Sequence, residues 1–315
     1  MAPYHAGELA VQARAGVQES ARRIGNGIRS SIPAAAQEFL RGQPMLVVAS
    51  LDADGQVWAS LITGPPGFIR ALDERTVLIE AGPAEGDPLG DNLRTGAQIG
   101  LLAIEPATRR RMRLNGVAEV VPAGTDGSTG ARPALRVRAQ QVYSNCPKYI
   151  QAREWTTVPD GTTGGGDPSS SPTVSRGRAL TADQQRWVER ADTFFIASAH
   201  PEGGADASHR GGLPGFVRVL DDRRLLIPDY VGNTMFNTLG NIVAHPNAGL
   251  LFVDFESGAT LQVTGRAELI WDADLTATFA GAERGVAFDV HEVIDVAGAH
   301  RLRGRFVEYS PFNPA

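Results

Sequence analysis

The sequence contains a single cysteine, Cys146, among 315 residues, and it has no long apolar run. One cysteine excludes an intrachain disulfide, which is typical of proteins in a reducing compartment. The longest apolar stretches, such as 249–253, are far shorter than the roughly 20 residues needed to cross a bilayer. The N-terminus also lacks a charged start followed by an apolar core. We therefore expect no signal peptide, no membrane association and a cytoplasmic location.

A basic excess is also missing, because the formal net charge is −5. Proteins that bind nucleic acids need a basic face for the phosphates, so we expect no nucleic-acid partner. The histidines form no metal-ligand pattern, and we find no P-loop, dinucleotide fingerprint or nucleophile elbow. What is abundant is glycine, with 36 residues, and proline, with 20. Both favour many tight turns between short strands.

The most informative pattern is an internal repeat. A shift of 148 residues places 43–79 on 191–227 without a gap, and a shift of 149 continues the match. Identical pairs include Gly64 with Gly212, Pro66 with Pro214, Phe68 with Phe216, Asn92 with Asn241, Gly100 with Gly249, and Gly116 with Gly265. Chance identity is only ~6% per position at average composition. The chain is therefore an internal duplication.

Each copy has the pattern of a β structure. Short apolar runs such as 45–50 and 193–199 are followed by turn residues, and 112–121 and 259–270 alternate apolar and polar residues. We predict a mainly β fold, with two tandem split β-barrels and flanking helices, arranged as an internal pseudo-dimer.

The predicted domains follow from this repeat. They are an N-terminal helical segment (1–35), a first barrel unit (36–155), a flexible linker rich in Gly, Ser and Pro (156–178) and a second barrel unit (179–315). We expect one surface helix over 8–29, a helix over 181–190 with Thr181 as N-cap, and a helix over 283–290.

The second copy carries polar residues where the first is apolar. Residues 208–210, Ser-His-Arg, match residues 60–62, Ser-Leu-Ile. A guanidinium is a planar fork of donors suited to phosphate. Residues 227–241 read as a strand, a turn and a helix start rich in Asn and Thr, where backbone N–H groups favour an anion. Gln262 adds a side-chain amide on the strand that follows.

Residues 208–210, 225–241 and 262–268 resemble the FMN-binding half of the pyridoxamine 5'-phosphate oxidase-like split barrels. The resemblance covers about 36–315 at the level of fold, and it implies an FMN-dependent oxidoreductase with the flavin between two barrel units. It also implies a small organic substrate, with NAD(P)H or a reductase as electron donor. The implied cofactor-binding residues are Ser208, His209, Arg210, Asn233, Thr234, Asn237, Asn241 and Gln262. His209 and Tyr230 are the candidate catalytic residues.

Several interpretations stay open. A split barrel can also bind or degrade haem, for which His209 or His245 would be the axial ligand. A non-catalytic flavin-binding or interaction module and a deazaflavin cofactor also fit the fold, and a homodimer of the whole chain is left open. The first unit lacks the His-Arg pair, so we expect that it has lost its own full flavin site. Asn241 has a counterpart in that unit, Asn92, which favours a structural role.

Two further features receive a structural interpretation first. Arg109–Arg111 and Arg113 form a basic cluster where the repeat predicts a hairpin turn, so we interpret them as a solvated tip, with anion contact as the alternative. Cys146 is interpreted as a buried structural cysteine, with a reactive thiol beside Lys148 as the alternative.

Overall fold

The computed structural model describes residues 3–93, 96–122, 133–157, 172–201, 204–272 and 278–314. The N-terminal part contains α1 (Ala6–Arg14) and α2 (Gln18–Gly25). The first unit follows with α3 (Ala34–Arg41), β1 (Met45–Leu51), β2 (Val57–Thr63), β3 (Ile69–Ala71), β4 (Thr76–Ile79), α4 (Leu89–Asn92), β5 (Gln98–Glu105), a 3-10 turn (Pro106–Thr108), β6 (Arg110–Val121), β7 (Ala134–Ser144) and β8 (Ala152–Thr157).

The second unit repeats this order. Its elements are β9 (Thr173–Gly177), α5 (Ala182–Arg190), β10 (Thr193–His200), β11 (Gly204–Gly211), β12 (Arg218–Asp221), β13 (Arg224–Tyr230), α6 (Asn237–Ala244), β14 (Asn247–Val253), β15 (Thr260–Ile270), β16 (Ala282–Ala297) and β17 (Leu302–Glu308). None of the helices in the described ranges is long and apolar enough to span a membrane.

The two units have the same antiparallel sheet. The strand order is β2-β1-β5-β6-β7-β4-β3 in the first and β11-β10-β14-β15-β16-β13-β12 in the second. Strand β9 adds to β16, and β8 pairs with β17 across the units. The predicted mainly β fold of tandem split barrels is confirmed.

A shared apolar interface joins the units. Its buried side chains include Val47 and Ala59 from the first unit and Phe195 and Ala207 from the second. Two matched glycines allow the backbones to meet: a Cβ at Gly100 would lie 2.6 Å from the Ala205 carbonyl oxygen, and one at Gly249 would lie 2.5 Å from the Val57 oxygen. The contact is therefore reciprocal, as expected of a pseudo-two-fold pair.

Matched asparagines fix the helix that follows β4 in the first unit and the helix that follows β13 in the second. Asn92 Nδ2 donates to Ser50 Oγ at 3.0 Å, and Asn241 Nδ2 donates to Ser198 Oγ at 3.0 Å. Both asparagine side chains are buried. These bonds anchor α4 on β1 and α6 on β10, so Asn241 holds α6 in place within the barrel.

Local helix predictions were partly correct. Helix α5 begins after Thr181, whose side chain accepts from the Gln184 N–H in a capping box. The expected helix over 8–29 is two helices, because Gly16 adopts a φ of 70° between them, and α1 buries Val11 and Gln12 instead of lying on the surface. The expected helix over 283–290 is part of β16, where pairing with β13 and β15 decides the conformation.

The predicted linker falls mostly outside the described residues, since 158–171 are not described. At its end, Thr173–Gly177 forms β9 and pairs with Ala297–Val293 of β16.

Candidate functional site

A cleft lies between the two units. The first unit contributes the start of β6 and residues 145–149, and the second contributes β11, β13 and the start of α6. The cleft encloses about 730 Å³ of empty space, including its open mouth. Six residues predicted from the sequence line it: His209, Arg210, Tyr230, Asn233, Thr234 and Asn237.

The base of the cleft is a buried ionic network across the interface. Arg113 Nη1 donates to Asp206 Oδ2 at 2.8 Å, and Arg113 also donates to Ser208 Oγ. Asn115 Nδ2 and the Tyr143 hydroxyl both donate to Asp206 Oδ1 at 3.2 Å. The Arg113 and Asp206 side chains are only 6% and 4% exposed, so solvent barely screens this pair.

Arg111 lies two residues earlier on the same face of β6, and it has a different kind of environment. Its Nη1 donates to His209 Nδ1 at 3.1 Å, and its Nη2 lies 3.9 Å from the Cys146 sulfur. Among the described residues, no carboxylate lies within salt-bridge distance of this guanidinium, and its buried Nε has no partner. Burial lowers the pKa of Arg111 to about 10, so the group is still charged at neutral pH.

The solvated-tip interpretation of the basic cluster was therefore wrong for Arg111 and Arg113. The hairpin turn is where it was expected, with Arg109 in the left-handed region at φ 54°. Beyond the turn, however, alternate residues of β6 face the other unit, and that unit buries them.

Arg210 is a second cation with an incomplete ion pair. Its Nη1 donates to Ser208 Oγ at 2.9 Å, while its Nη2 is 3.9 Å from Asp229 Oδ1. Asp229 lies closer to Arg284, whose Nε is 2.9 Å from Oδ2. Arg284 itself is buried against the Phe236 and Trp271 rings. Asp229 is thus shared between Arg210 and Arg284, and the long 3.9 Å separation from Arg210 leaves hydrogen-bonding capacity on the Arg210 guanidinium for the cleft.

His209 is held as a neutral ring. Burial, followed by the positive charge of Arg111, places the pKa of His209 well below its usual range. Because a guanidinium only donates, His209 Nδ1 accepts the Arg111 hydrogen bond and the proton lies on Nε2. Nε2 is buried and has no partner among the described residues. The group can donate a hydrogen bond, but it is not an imidazolium acid at neutral pH.

The turn before α6 is strained. Thr234 and Phe236 are non-glycine residues in the left-handed region, at φ 61° and 58°. Such conformations persist where the surroundings impose them, often at functional sites. Helix α6 begins at Asn237 without a capping side chain. Its first N–H groups therefore lack intrahelical partners and face the cleft with the positive end of the helix dipole.

The mouth of the cleft is aromatic and comes from both units. The Tyr149 and Tyr230 ring centroids are 5.2 Å apart, and the Tyr149 hydroxyl donates to the Val231 carbonyl at 2.9 Å. Burial raises the pKa of Tyr149 to about 12 and also raises that of Tyr230. Both phenols are therefore protonated at neutral pH. Cys146 lines the same wall and is half-buried, so the prediction of a buried structural cysteine was wrong about its burial.

Three predicted binding residues lie outside the cleft. Ser208 is fully buried beneath it and accepts from Arg113 and Arg210. Asn241 is the buried anchor of α6. Gln262 is on the far side of the interface, where its Nε2 donates to the Ala59 carbonyl at 2.9 Å. The repeat explains the position of Gln262. Gln262 matches Arg113, and Arg113 is the residue that reaches the cleft of the second unit. His245 is also outside, at the exposed C-terminal end of α6.

The matching position in the first unit is filled by the chain itself. Asp87 Oδ1 accepts from Ser60 Oγ at 2.6 Å and from the Leu89 N–H of α4 at 2.8 Å, and Oδ2 accepts from Gln262 Nε2 at 3.1 Å. An internal carboxylate therefore lies at this helix start. The equivalents of His209 and Arg210 are the apolar Leu61 and Ile62.

Burial of Asp87 has a measurable pH signature. It raises the pKa of Asp87 to about 6, so the folded chain keeps this proton between about pH 4 and 6 while the unfolded chain loses it. This group alone makes the free energy of unfolding fall as pH rises through that window, with no further change above it. Denaturant titrations should show the full slope in the wild type and in the exposed-site control Asp91→Asn. The slope should be smaller in Asp87→Asn, where other buried carboxyls such as Glu8 still contribute. An equal slope in Asp87→Asn would contradict the assignment.

The comparison with known families decides what this architecture is. A family model described as pyridoxamine 5'-phosphate oxidase matches the chain twice, over residues 32–154 and 180–301. The matched segments span well over half of the chain. This chain belongs to the pyridoxamine 5'-phosphate oxidase family. Proteins of this family bind flavin, are generally dimeric and use small-molecule substrates. Each match to the family covers one barrel unit, and residues 1–31 precede both.

Solved structures that resemble this family member each cover about one unit. A variant of HupZ from Group A Streptococcus is 14% identical, over 37% of this chain and 98% of its own, with a TM-score of 0.31. A putative pyridoxamine 5'-phosphate oxidase from Lactobacillus delbrueckii is 21% identical, over 36% and 93%, with a TM-score of 0.31. HutZ, a heme storage protein from Vibrio cholerae, is 11% identical, over 38% and 96%, with a TM-score of 0.28. No curated protein matches this chain.

Proposed function

We propose that this protein is an FMN-dependent oxidoreductase that binds one FMN in the cleft of its second unit and acts on a small organic substrate. The observation that carries the proposal is Arg111. The Arg111 guanidinium is half-buried and has no carboxylate partner among the described residues, which is costly, and a bound anion would compensate it. Arg210 lies on the facing strand, and the uncapped start of α6 adds N–H donors to the same space.

The donor set fits a flavin phosphate. Arg111 and Arg210 provide charged donors, and the first turn of α6 provides backbone donors of the kind that bind phosphate. Asn233 and Thr234 line the same wall and would serve the ribityl chain. Buried polar atoms without partners include Arg111 Nε, His209 Nε2 and Asn145 Oδ1, and all three residues line the cleft. Such atoms are expected where a polar ligand belongs.

The protein supplies binding and orientation, while bound FMN would supply hydride transfer. His209 would donate a hydrogen bond from Nε2 to the cofactor or substrate. Tyr230 and Tyr149 narrow the mouth. The protonated Tyr230 phenol can donate to a substrate, whereas the Tyr149 hydroxyl already donates to the Val231 carbonyl. Electrons would come from NAD(P)H or a reductase, and we place the reaction in the cytoplasm. Because Asp87 fills the matching position of the first unit, a single flavin per chain is expected.

The test is an FMN titration of purified protein, with cofactor content read from the absorption spectrum. Wild type should bind one FMN per chain. Arg111→Gln should weaken binding by about 10–150-fold, because hydrogen bonds to charged groups contribute about 1.5–3 kcal/mol. Arg110→Gln is the matched control, since Arg110 is the exposed neighbour on the opposite face of β6.

The outcomes separate the alternatives. Equal affinity in Arg111→Gln and wild type would overturn the assigned phosphate site, and two flavins per chain would overturn the role given to Asp87. A Soret band in place of flavin absorption would indicate haem. A colourless protein that takes up no FMN would indicate a non-catalytic module, and a deazaflavin would be identified by mass.

A further inference from the structure

Residues 1–31 lie outside the repeat and outside both family matches, yet α1 and α2 contact the second unit at α6 and at the turn before it. We propose that helices α1 and α2 are a cofactor-positioning element, and that Glu8 is its principal positioning residue. The proposal rests on the function proposed above for the cleft. It assigns a role in that site to a segment that is distant in sequence, since Glu8 and Asn237 are 229 residues apart.

Side chains of α1 hold successive points along the turn and α6. Glu8 Oε1 accepts from Asn237 Nδ2 at 2.6 Å, and Asn237 lines the cleft. Gln12 Nε2 donates to the Met235 carbonyl at 3.1 Å. His5 Nε2 lies 2.8 Å from Asn241 Oδ1. The first two contacts lie directly within the segment that carries the predicted flavin ligands.

Backbone packing makes this attachment close. A Cβ at Gly7 would lie 2.2 Å from the Gly240 carbonyl oxygen, and a Cβ at Gly240 would lie 2.5 Å from the Glu8 side chain. The two helices therefore approach at a distance that only glycine permits. From α2, Ser20 lies 3.3 Å from the Thr234 hydroxyl. The N-terminal helices thus contact the turn from Thr234 through Asn241.

The turn needs such support because it is strained. Two left-handed residues flank Met235, and such conformations persist only where the surrounding structure imposes them. The Gln12 bond to the Met235 carbonyl fixes the peptide between them. The Glu8 bond to Asn237 fixes the first residue of α6. The two contacts together hold the middle and the C-terminal end of the strained segment.

A buried carboxylate such as that of Glu8 is energetically unfavourable for a residue with a purely structural role. Its carboxylate is buried, and it also caps α1 by accepting from the His5 N–H at 2.8 Å. Burial raises the pKa of Glu8 to about 7, and the Asp206 charge adds to this effect, while Arg113 opposes it. Other titratable groups around it are His5, Tyr4 and Tyr143. A glutamine would fill the same capping box without the charge.

The first unit offers an internal comparison. Its α4 is a helix of four residues, and no helix pair of the described chain packs on it as α1 and α2 pack on α6. That unit also carries no cleft of the same composition among its described residues. The support is present only where the cofactor is expected.

The experiment uses the full chain with Glu8→Ala, Glu8→Gln and the control Glu19→Gln, an exposed glutamate on α2. We measure FMN affinity from pH 6 to 8 and amide hydrogen exchange of residues 233–241 without FMN. Glu8→Ala should bind FMN at least about tenfold more weakly. In this variant the amides of 233–241 should also exchange hydrogen faster than in wild type, while the amides of β10 and β15 keep wild-type exchange rates. Glu19→Gln should match wild type in both.

Rescue and pH dependence separate positioning from a general loss of stability. Glu8→Gln should keep FMN affinity within about threefold of wild type at pH 6, because it retains a hydrogen-bonding partner for Asn237. The FMN affinity of wild type should then fall relative to that of Glu8→Gln as pH rises through 7, because a bound phosphate disfavours the ionised carboxyl of Glu8. A constant ratio of the two affinities from pH 6 to 8 would count against Glu8.

The two proposals can fail separately. If wild type binds FMN and Glu8→Ala binds it equally well with unchanged exchange, the positioning role is overturned and the function stands. If wild type binds no FMN, the function fails, and exchange at 233–241 alone decides whether α1 holds the turn. If Glu8→Ala does not fold, Gln12→Ala replaces it. It should show the same faster exchange, and wild-type exchange in that variant would overturn the proposal.

Discussion

Replacing Arg113 by methionine is expected to lower the free energy of unfolding by about 3–5 kcal/mol, because it leaves a buried carboxylate without its cation. Asp206 would retain the Asn115 and Tyr143 hydrogen bonds, at 3.2 Å each, but would lose the 2.8 Å contact to the guanidinium. Denaturant unfolding measures the change. The loss should exceed that of any exposed ion pair on the molecule, because water does not screen this one.

Two further variants isolate the buried charge. Arg22→Met removes the same side chain from an exposed pair with Glu19. Solvent screens this pair, so the denaturant midpoint of the variant should stay close to that of wild type. The double variant Arg113→Met with Asp206→Leu removes both charges and should recover a large part of the loss. A double variant no more stable than Arg113→Met would show that packing, and not the unpaired charge, dominates.

Gly249→Ala is expected to destabilise the protein by about 3 kcal/mol through a steric clash between the two units. The new Cβ would lie 2.5 Å from the Val57 carbonyl oxygen and 2.9 Å from the Trp58 Cα. Both atoms belong to the backbone of β2, so neither can move without shifting the strand. Unfolding monitored in denaturant gives the size of the effect, and Gly100→Ala should behave alike because it makes the reciprocal contact.

The control for this prediction is Gly90→Ala, in α4. A Cβ there meets no atom within 4 Å. Alanine also favours a helix over glycine by roughly 0.5–1 kcal/mol, so this variant should be neutral or slightly more stable. If Gly249→Ala unfolds at the wild-type denaturant concentration, the units do not pack as closely as described.

The fold could be predicted from the sequence because the repeat preserves spacing as well as residue type. The matched pairs Asn92 with Asn241 and Gly100 with Gly249 lie at equivalent points of two units that share the same strand order. The helix predicted over 283–290 was wrong for a physical reason. Its local sequence tolerates a helix, but β13 and β15 provide hydrogen-bonding partners on both sides, and sheet pairing outweighs weak local preference.

The site was only partly predictable. Arg210 and Asn233 are close in sequence to the turn they line, so the local pattern pointed to them. Arg111 comes from the other unit, about 100 residues before His209 in the sequence. Its place beside the expected hairpin turn favoured a solvated role over a role in the cleft. One signal was available: Arg111 and Arg113 are spaced by two on a strand and therefore share a face. The same repeat alignment places Gln262 opposite Arg113, and hence away from the cleft.

The attachment of α1 to α6 also constrains how the chain is made. Glu8 and Asn237 are 229 residues apart, so the first helix leaves the ribosome long before its partner exists. Contacts this distant form late, because the intervening loop must close first. The apolar side of α1, including Val11, therefore stays unpacked in the nascent chain until the second barrel has been synthesised. Packing of α1 on the turn before α6 is therefore expected to report that synthesis of both barrels is finished.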